Sequence, residues 1–186
     1  ISSNFDYDHN GYLNDEEISA VNTIAISNSA IISVEGIKFF TSLNELWLLN
    51  GSSVTALDLS DCASIADVRI VSMNSNPMSV DLSGCTSLEN IQISRECNIE
   101  VLVFSGCTSL TMVEVTGLNL YSLDVSGCTS LSQLACSDNN LESLDVSGCT
   151  SLAYLDCTSN YLNEIDISDS SILVDTVTNG NKISYS

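Results

Sequence analysis

From Val21 onward the chain repeats one order of positions, apolar-x-x-apolar-x-apolar. It starts at Val21, Leu43, Ile65, Leu88, Leu110, Leu131, Leu152 and, weakly, Leu173, at spacings of 22, 22, 23, 22, 21, 21 and 21 residues. The phrase is most regular from Leu123 to Ser168. There Leu131, Leu134, Cys136 and Leu141 return as Leu152, Leu155, Cys157 and Leu162, and Leu144, Val146 and Cys149 return as Ile165, Ile167 and Ser170. A fixed period of this length marks a solenoid, because one unit cannot bury its apolar face and must stack on the next. The central apolar residues of each unit, such as Leu134 and Cys136, alternate with polar ones and predict a short strand with one buried face. Stacking at about 4.8 Å then builds a parallel ladder. The returning half, Leu144 to Cys149, predicts an extended stretch or tight turn on the convex side rather than a long helix. Length changes fall after the strand, near Pro77 and near Cys97, where insertions in a repeat belong. No linker divides the array, so the amino-terminal cap (residues 1–20) and the repeats (residues 21–186, whose last coil is degenerate) are expected to form one cooperative body.

Strand alternation also predicts which side chains point outward on the concave face. One column is Glu45, Asp67, Asn90, Met112, Gln133 and Tyr154, and the next is Trp47, Arg69, Gln92, Glu114, Ala135 and Asp156. A third holds Leu49, Val71, Ser94, Thr116, Ser137 and Thr158. Tryptophan, tyrosine and arginine are the types enriched at binding hot spots. The candidate binding residues are therefore Glu45, Trp47, Arg69, Gln92, Arg95, Glu114, Tyr154 and Asp156. The competing reading has Trp47 covered by the cap or a neighbouring coil, with Arg69 merely balancing Asp67 and Glu45.

Residues 1–20 break the pattern and form a separate amino-terminal cap. Asp6-Tyr7-Asp8-His9-Asn10-Gly11-Tyr12-Leu13-Asn14-Asp15-Glu16-Glu17 satisfies the spacing D-x-[DN]-x-[DN]-G-x5-E of a calcium loop. Calcium takes six to eight oxygens, and this spacing wraps them around one ion. The expected ligands are Asp6, Asp8, Asn10, the Tyr12 carbonyl, Asn14 directly or through water, and Glu17 as a bidentate closing group. Gly11 makes the sharp turn and Leu13 faces the core. Only five residues precede Asp6 and no second loop follows, so the ion is expected to fix the cap rather than to act as a switch. The alternative is an acidic surface loop with no metal.

Four Lys and Arg against 24 Asp and Glu give a net charge of -20, which disfavours nucleic acid and anionic membranes and favours cations or basic partners. At 44% apolar residues a continuous core is expected, and no apolar run is long enough to insert in a membrane. No signal peptide precedes Ile1, so a targeting segment is expected either to have been removed or to lie outside this sequence. Of eight cysteines, Cys62, Cys85, Cys107, Cys128 and Cys149 share one repeat position, and Cys136 and Cys157 another. Such columns act as small buried hydrophobes and are expected to stay reduced, with Cys97 outside both. Asp58, Asp81, Asp124, Asp145 and Asp166 form a further column, read as acceptors for turn amides rather than a row of cation sites.

The phrase resembles the leucine-rich repeat family, whose consensus is L-x-x-L-x-L-x-x-N-x-L. Asn139, Asn160 and Asn181 hold the family's asparagine, while Leu118 takes that place one coil earlier. The half-repeat LD[LV]SGCTSL, and a calcium loop that opens straight into such repeats, are similar to secreted and surface proteins of bacteria. The resemblance implies an α/β repeat solenoid, a right-handed coil of about seven to eight repeats of 21–23 residues with short parallel strands on its concave face. It also implies an extracellular or cell-surface setting and a monomer that recognises a protein partner, a host or bacterial surface protein. The alternative is a structural spacer of a larger envelope protein. An enzyme is the poorest reading, since the single histidine, His9, occupies a non-ligand position of the loop and no nucleophile elbow or close C-x-x-C pair occurs.

Overall fold

The computed structural model describes residues 6–10, 12–28, 30–49, 53–71, 76–169, 175–177 and 179–181. Gly11, Ser170 and Leu173 lie outside the described residues. The chain is a parallel β-solenoid with very little helix. Among the described residues helix is confined to α1 (Asp15–Ala20) and a single 3-10 turn, Ile37–Phe39. In each coil the triplet predicted to be a strand is one. These strands are β1 (Thr23–Ile26), β2 (Glu45–Leu49), β4 (Asp67–Val71), β6 (Asn90–Ile93), β8 (Met112–Glu114), β10 (Gln133–Ala135), β11 (Tyr154–Asp156) and β12 (Asp175–Val177). Together they form the long ladder, in two sheets ordered β1-β2-β4-β6 and β8-β10-β11-β12. The register aligns Ile24, Leu46, Val68 and Ile91 in one sheet, and Val113, Leu134 and Leu155 in the other.

The returning half is extended, and it pairs as well. Strands β3 (Ala56–Asp58), β5 (Met78–Asp81), β7 (Ile99–Val103) and β9 (Ser122–Asp124) make a short parallel ladder, prolonged by a single bridge from Asp124 to Asp145. The core lies between the two ladders. Leu46, Leu48, Val68, Ile70, Leu134, Cys136, Leu155 and Cys157 are fully buried from one side, and Leu57, Val80 and Leu102 from the other. Each such side chain contributes about 1.5–3 kcal/mol on burial, which offsets backbone ordering only when the coils stack.

The turn after the short ladder shows why its residues repeat. The aspartate carboxylates accept the amide two residues on: Asp58 from Ser60 (3.0 Å), Asp81 from Ser83 (2.9 Å), Asp124 from Ser126 (2.9 Å), Asp145 from Ser147 (2.8 Å) and Asp166 from Ser168 (2.9 Å). In the turns of Asp81, Asp124 and Asp145 the glycine that follows adopts a left-handed conformation, as Asp61 does after Ser60, and coils stack closely there. A Cβ on Gly148 would lie 3.2 Å from Gly127 Cα and N. The next residue, cysteine, reaches back one coil. Cys85 Sγ donates to Leu59 O (3.2 Å), Cys107 to Leu82 O (3.1 Å), Cys128 to Phe104 O (3.1 Å) and Cys149 to Val125 O (3.1 Å). Burial pushes these thiols up, to about 12 for Cys85 and Cys128 and about 11 for Cys149, which suppresses the reactive thiolate. Cys97, outside the column, is buried and donates to Ile70 O at 3.5 Å.

The asparagines stitch the long-ladder turns. Asn139 Oδ1 accepts from Leu118 N and Leu120 N (both 3.0 Å), while its Nδ2 lies 2.8, 3.0 and 3.1 Å from the Val115, Cys136 and Ser137 carbonyls. Asn160 repeats this arrangement toward Leu141 N and Cys136 O, and Asn181 toward Leu162 N and Cys157 O.

Candidate binding face and cation loop

In the cap, the helix start and the acidic loop share one residue. Asn14 caps α1 by accepting from Glu17 N (3.0 Å), and Glu17 reaches back to accept from Asn14 N (3.0 Å). The other Glu17 oxygen accepts from Tyr7 N (2.6 Å) and Asp8 N (3.2 Å). These amides, that of Asn14 first, hold the Glu17 carboxyl below the ordinary glutamate range. Its stabilisation of the cap is therefore present above that range and is lost as pH falls through the lowered value. Asp6 and Glu17 are buried, Asp8 is exposed, and one oxygen of each lies within 4.8 Å of the others. Asn10 is committed within the loop: its Nδ2 donates to Asp8 (2.8 Å) and its Oδ1 accepts from Tyr12 N (2.8 Å). Tyr12 and Asn14 are exposed, and Leu13 packs against the core.

On the long-ladder face the columns are formed within each sheet. Glu45, Asp67 and Asn90 are in register, as are Trp47, Arg69 and Gln92; beyond them run Met112, Gln133 and Tyr154, and Glu114, Ala135 and Asp156. Arg69 donates to Asp67 through Nε (2.8 Å) and a terminal nitrogen (3.1 Å), which lays its guanidinium 5.0 Å from the Trp47 ring centroid. Trp47 is thus partly covered by its neighbouring coil, and its Nε1 is buried without a hydrogen-bond partner among the described residues. Gln92, Arg95 and Glu114 are exposed; Glu45, Tyr154 and Asp156 are half-buried.

The columns do not run unbroken, because β6 and β8 belong to different sheets. At this break two grooves, of about 570 and 230 Å3, share Ile91, Gln92 and Glu114 in their walls. The first extends to Arg69, Glu89 and Met112, and the second to Arg95 and Leu118. A third groove of about 580 Å3 lies between residues 142–147 and 163–169, rimmed by Glu142, Asp145, Glu164, Asp166 and Asp169.

No protein-family model matches this sequence, and no curated protein matches it significantly. Among solved structures the chain is similar to the "Functional domain of InlJ from Listeria monocytogenes", which is described as including a cysteine ladder. The two share 22% identity over 92% of this chain, with a TM-score of 0.41. This chain spans about half, 47%, of that domain's length. No helix among the described residues is long and apolar enough to cross a membrane.

The sequence missed two features of this site. One is the second ladder, and the other is the break between β6 and β8. Leu118 stands at the break in the place where later coils carry Asn139, Asn160 and Asn181, but the paired earlier coils also lack an asparagine there, carrying Gly51, Met73 and Glu96, so no single position signals it.

Proposed function

We propose that this chain is a non-enzymatic protein-recognition module of a secreted or surface-attached bacterial protein, working as a monomer, with a structural calcium ion in its cap. The observation that carries the reading is the long-ladder face itself. It is an open wall of strands that gathers Arg69, Gln92, Arg95, Met112 and Glu114 around grooves at one break. Open grooves with mixed polar and apolar walls suit a macromolecular partner better than a small substrate, which needs an enclosed pocket with convergent polar groups. Purified host and bacterial surface proteins, passed over the immobilised chain, provide the test. The doubly substituted Arg69→Ala/Gln92→Ala chain is expected to bind a captured partner at least about tenfold more weakly, while Tyr121→Ala, an exposed position outside the long ladder, leaves affinity unchanged. Equal binding by both variants would exclude this face, and absence of any partner would favour the spacer reading.

For the cap, the support is the loop spacing together with the approach of Asp6, Asp8 and Glu17 to one another. Three like charges this close repel unless a cation offsets them. Calcium held by Asp6, Asp8, Asn10, the Tyr12 carbonyl, Asn14 and Glu17 supplies that charge. Modules of this kind bind calcium at about 10⁻⁴–10⁻³ M, so about 10 mM calcium is expected to add about 1.4–2.7 kcal/mol and raise Tm by several degrees. Asp6→Asn abolishes the rise. Superimposable melting curves in calcium and in chelator would sink the assignment.

A further inference from the structure

The two coils that carry β6 and β8 are joined on one side and parted on the other. On the short ladder β7 and β9 pair in register, Val101 with Ser122, Leu102 with Leu123 and Val103 with Asp124. On the long ladder β6 and β8 form no ladder at all. The backbone bonds show the gap directly. In the coils before and after, one carbonyl takes two amides of the next coil: Asn22 O from Asn44 and Glu45, Asn44 O from Ala66 and Asp67, and Ala66 O from Glu89 and Asn90. Thr111 O likewise takes Ser132 and Gln133, and Ser132 O takes Ala153 and Tyr154. At the same position Glu89 O takes neither Thr111 nor Met112. The apolar floor is opened as well. Ile91 and Ile93 are half-exposed, whereas their counterparts Leu46, Leu48, Val68, Ile70, Leu134 and Cys136 are fully buried. Leu118 stands where Asn139 ties its own turn to the coil before it, and a leucine side chain offers no such hydrogen bond across the seam.

We infer that this seam takes one extended segment of a partner protein, inserted as a strand parallel to β6 and β8. The inference rests on the proposed recognition role of this face. Two facing strand edges with unused amides and carbonyls are complementary to a strand and to little else. Insertion sets β6 and β8 about 9.6 Å apart, twice the strand spacing, and the intact β7–β9 pairing is the hinge that permits it. The side chains define the segment further. Alternate apolar residues cover Ile91 and Ile93. Glu89 lies at the start of the seam with no ion pair among the described residues, so the segment begins with a basic residue. Arg95 stands at its end; unlike Lys38 on Asp58 and Arg69 on Asp67, it has no carboxylate within ion-pair distance among the described residues. The segment therefore ends with an acidic residue.

The test uses a capped, fluorescently labelled heptapeptide, Lys-Thr-Val-Thr-Val-Thr-Glu, with polarisation for affinity and amide exchange for location. It is expected to bind the parent chain at least about tenfold more tightly than Glu-Thr-Val-Thr-Val-Thr-Lys, and than the same peptide N-methylated at alternate amides. Arg95→Glu, an exposed substitution, reverses the preference at that end, favouring a peptide that finishes in Lys. Bound peptide slows exchange at Thr111 and Met112 and leaves Ser132 and Gln133 unchanged. Equal binding of the charge-reversed or N-methylated peptide, or no binding at about 1 mM, overturns the seam. So does protection confined to other residues, and a protein partner that binds the long-ladder face without competing with the peptide overturns it while leaving the recognition reading intact. Loss of that reading is recognised separately, by a partner indifferent to Arg69→Ala/Gln92→Ala.

Discussion

Asn139→Leu is expected to destabilise the chain by about 3–6 kcal/mol. Asn139 is 5% exposed and serves two amides and three carbonyls in two adjacent coils. Each buried polar group left without a partner costs about 1–3 kcal/mol, and several share the one amide. Leucine has the same number and branching of side-chain heavy atoms, and Leu118 already occupies the equivalent place one coil earlier, so most of the loss comes from the hydrogen bonds. Asn139→Asp keeps the acceptor and loses the Nδ2 donor, and is expected to fall between parent and leucine variant near neutral pH. Urea unfolding followed by circular dichroism measures all three. Because stability in a repeat array is a sum of neighbour terms, the leucine variant is also expected to split the transition into two steps. A loss below about 1 kcal/mol would mean that water replaces the amide and that the stitching is incidental.

The seam and the stitched turns explain which parts of this molecule were legible in its sequence. Strand positions follow from period-two alternation inside a fixed repeat, and Leu134, Cys136, Leu155 and Cys157 are buried for that reason. The aspartate column was also legible, since an aspartate two residues before a turn amide has a local partner. The short ladder was not. Segments such as Ser122-Leu123-Asp124 have only one inward residue, and a tight turn fits them equally well until the neighbouring coil supplies a pairing partner. Pairing between coils is non-local, so the periodicity that placed Trp47 beside Arg69 also extended the columns across β6 and β8, where no pairing forms.

At the binding face, residue type alone did not decide between an exposed anchor and a side chain covered by its neighbouring coil. Trp47 has the composition of an anchor, yet Asp67, two residues before Arg69 on the same strand, aims the guanidinium over the indole. Among the described residues, Arg95 is the cation of this face that is outside an ion pair, and it stands beside the short stretch where the repeat lengthens. In the cap, spacing identified the acidic loop, while the capping box shows that Glu17 also serves the helix start. Departures from the repeat, rather than its regular part, thus locate both candidate sites.

Phe104→Ala is the second large effect, about 3–5 kcal/mol. Phe104 is fully buried and occupies the position filled by Leu59, Leu82, Val125 and Val146 in other coils, so it is the largest side chain of its column. Its backbone is engaged on both sides, its N–H donating to Asp124 O (2.7 Å) and its carbonyl accepting from Cys128 Sγ (3.1 Å). Those bonds hold the coil in place, so the walls cannot collapse freely into the space the ring leaves, and the cavity cost adds to the lost burial. Phe104→Leu, the residue the column otherwise uses, is expected to cost no more than about 1.5 kcal/mol. Chemical denaturation separates the two, and a loss under about 1.5 kcal/mol for alanine would show the coils closing on the void. Phe104 directly follows β7, the strand that joins the two parted coils. Faster amide exchange along β7 and β9 in the alanine variant, with β10 and β11 unchanged, would therefore show that this column sets the stiffness of the hinge beneath the seam.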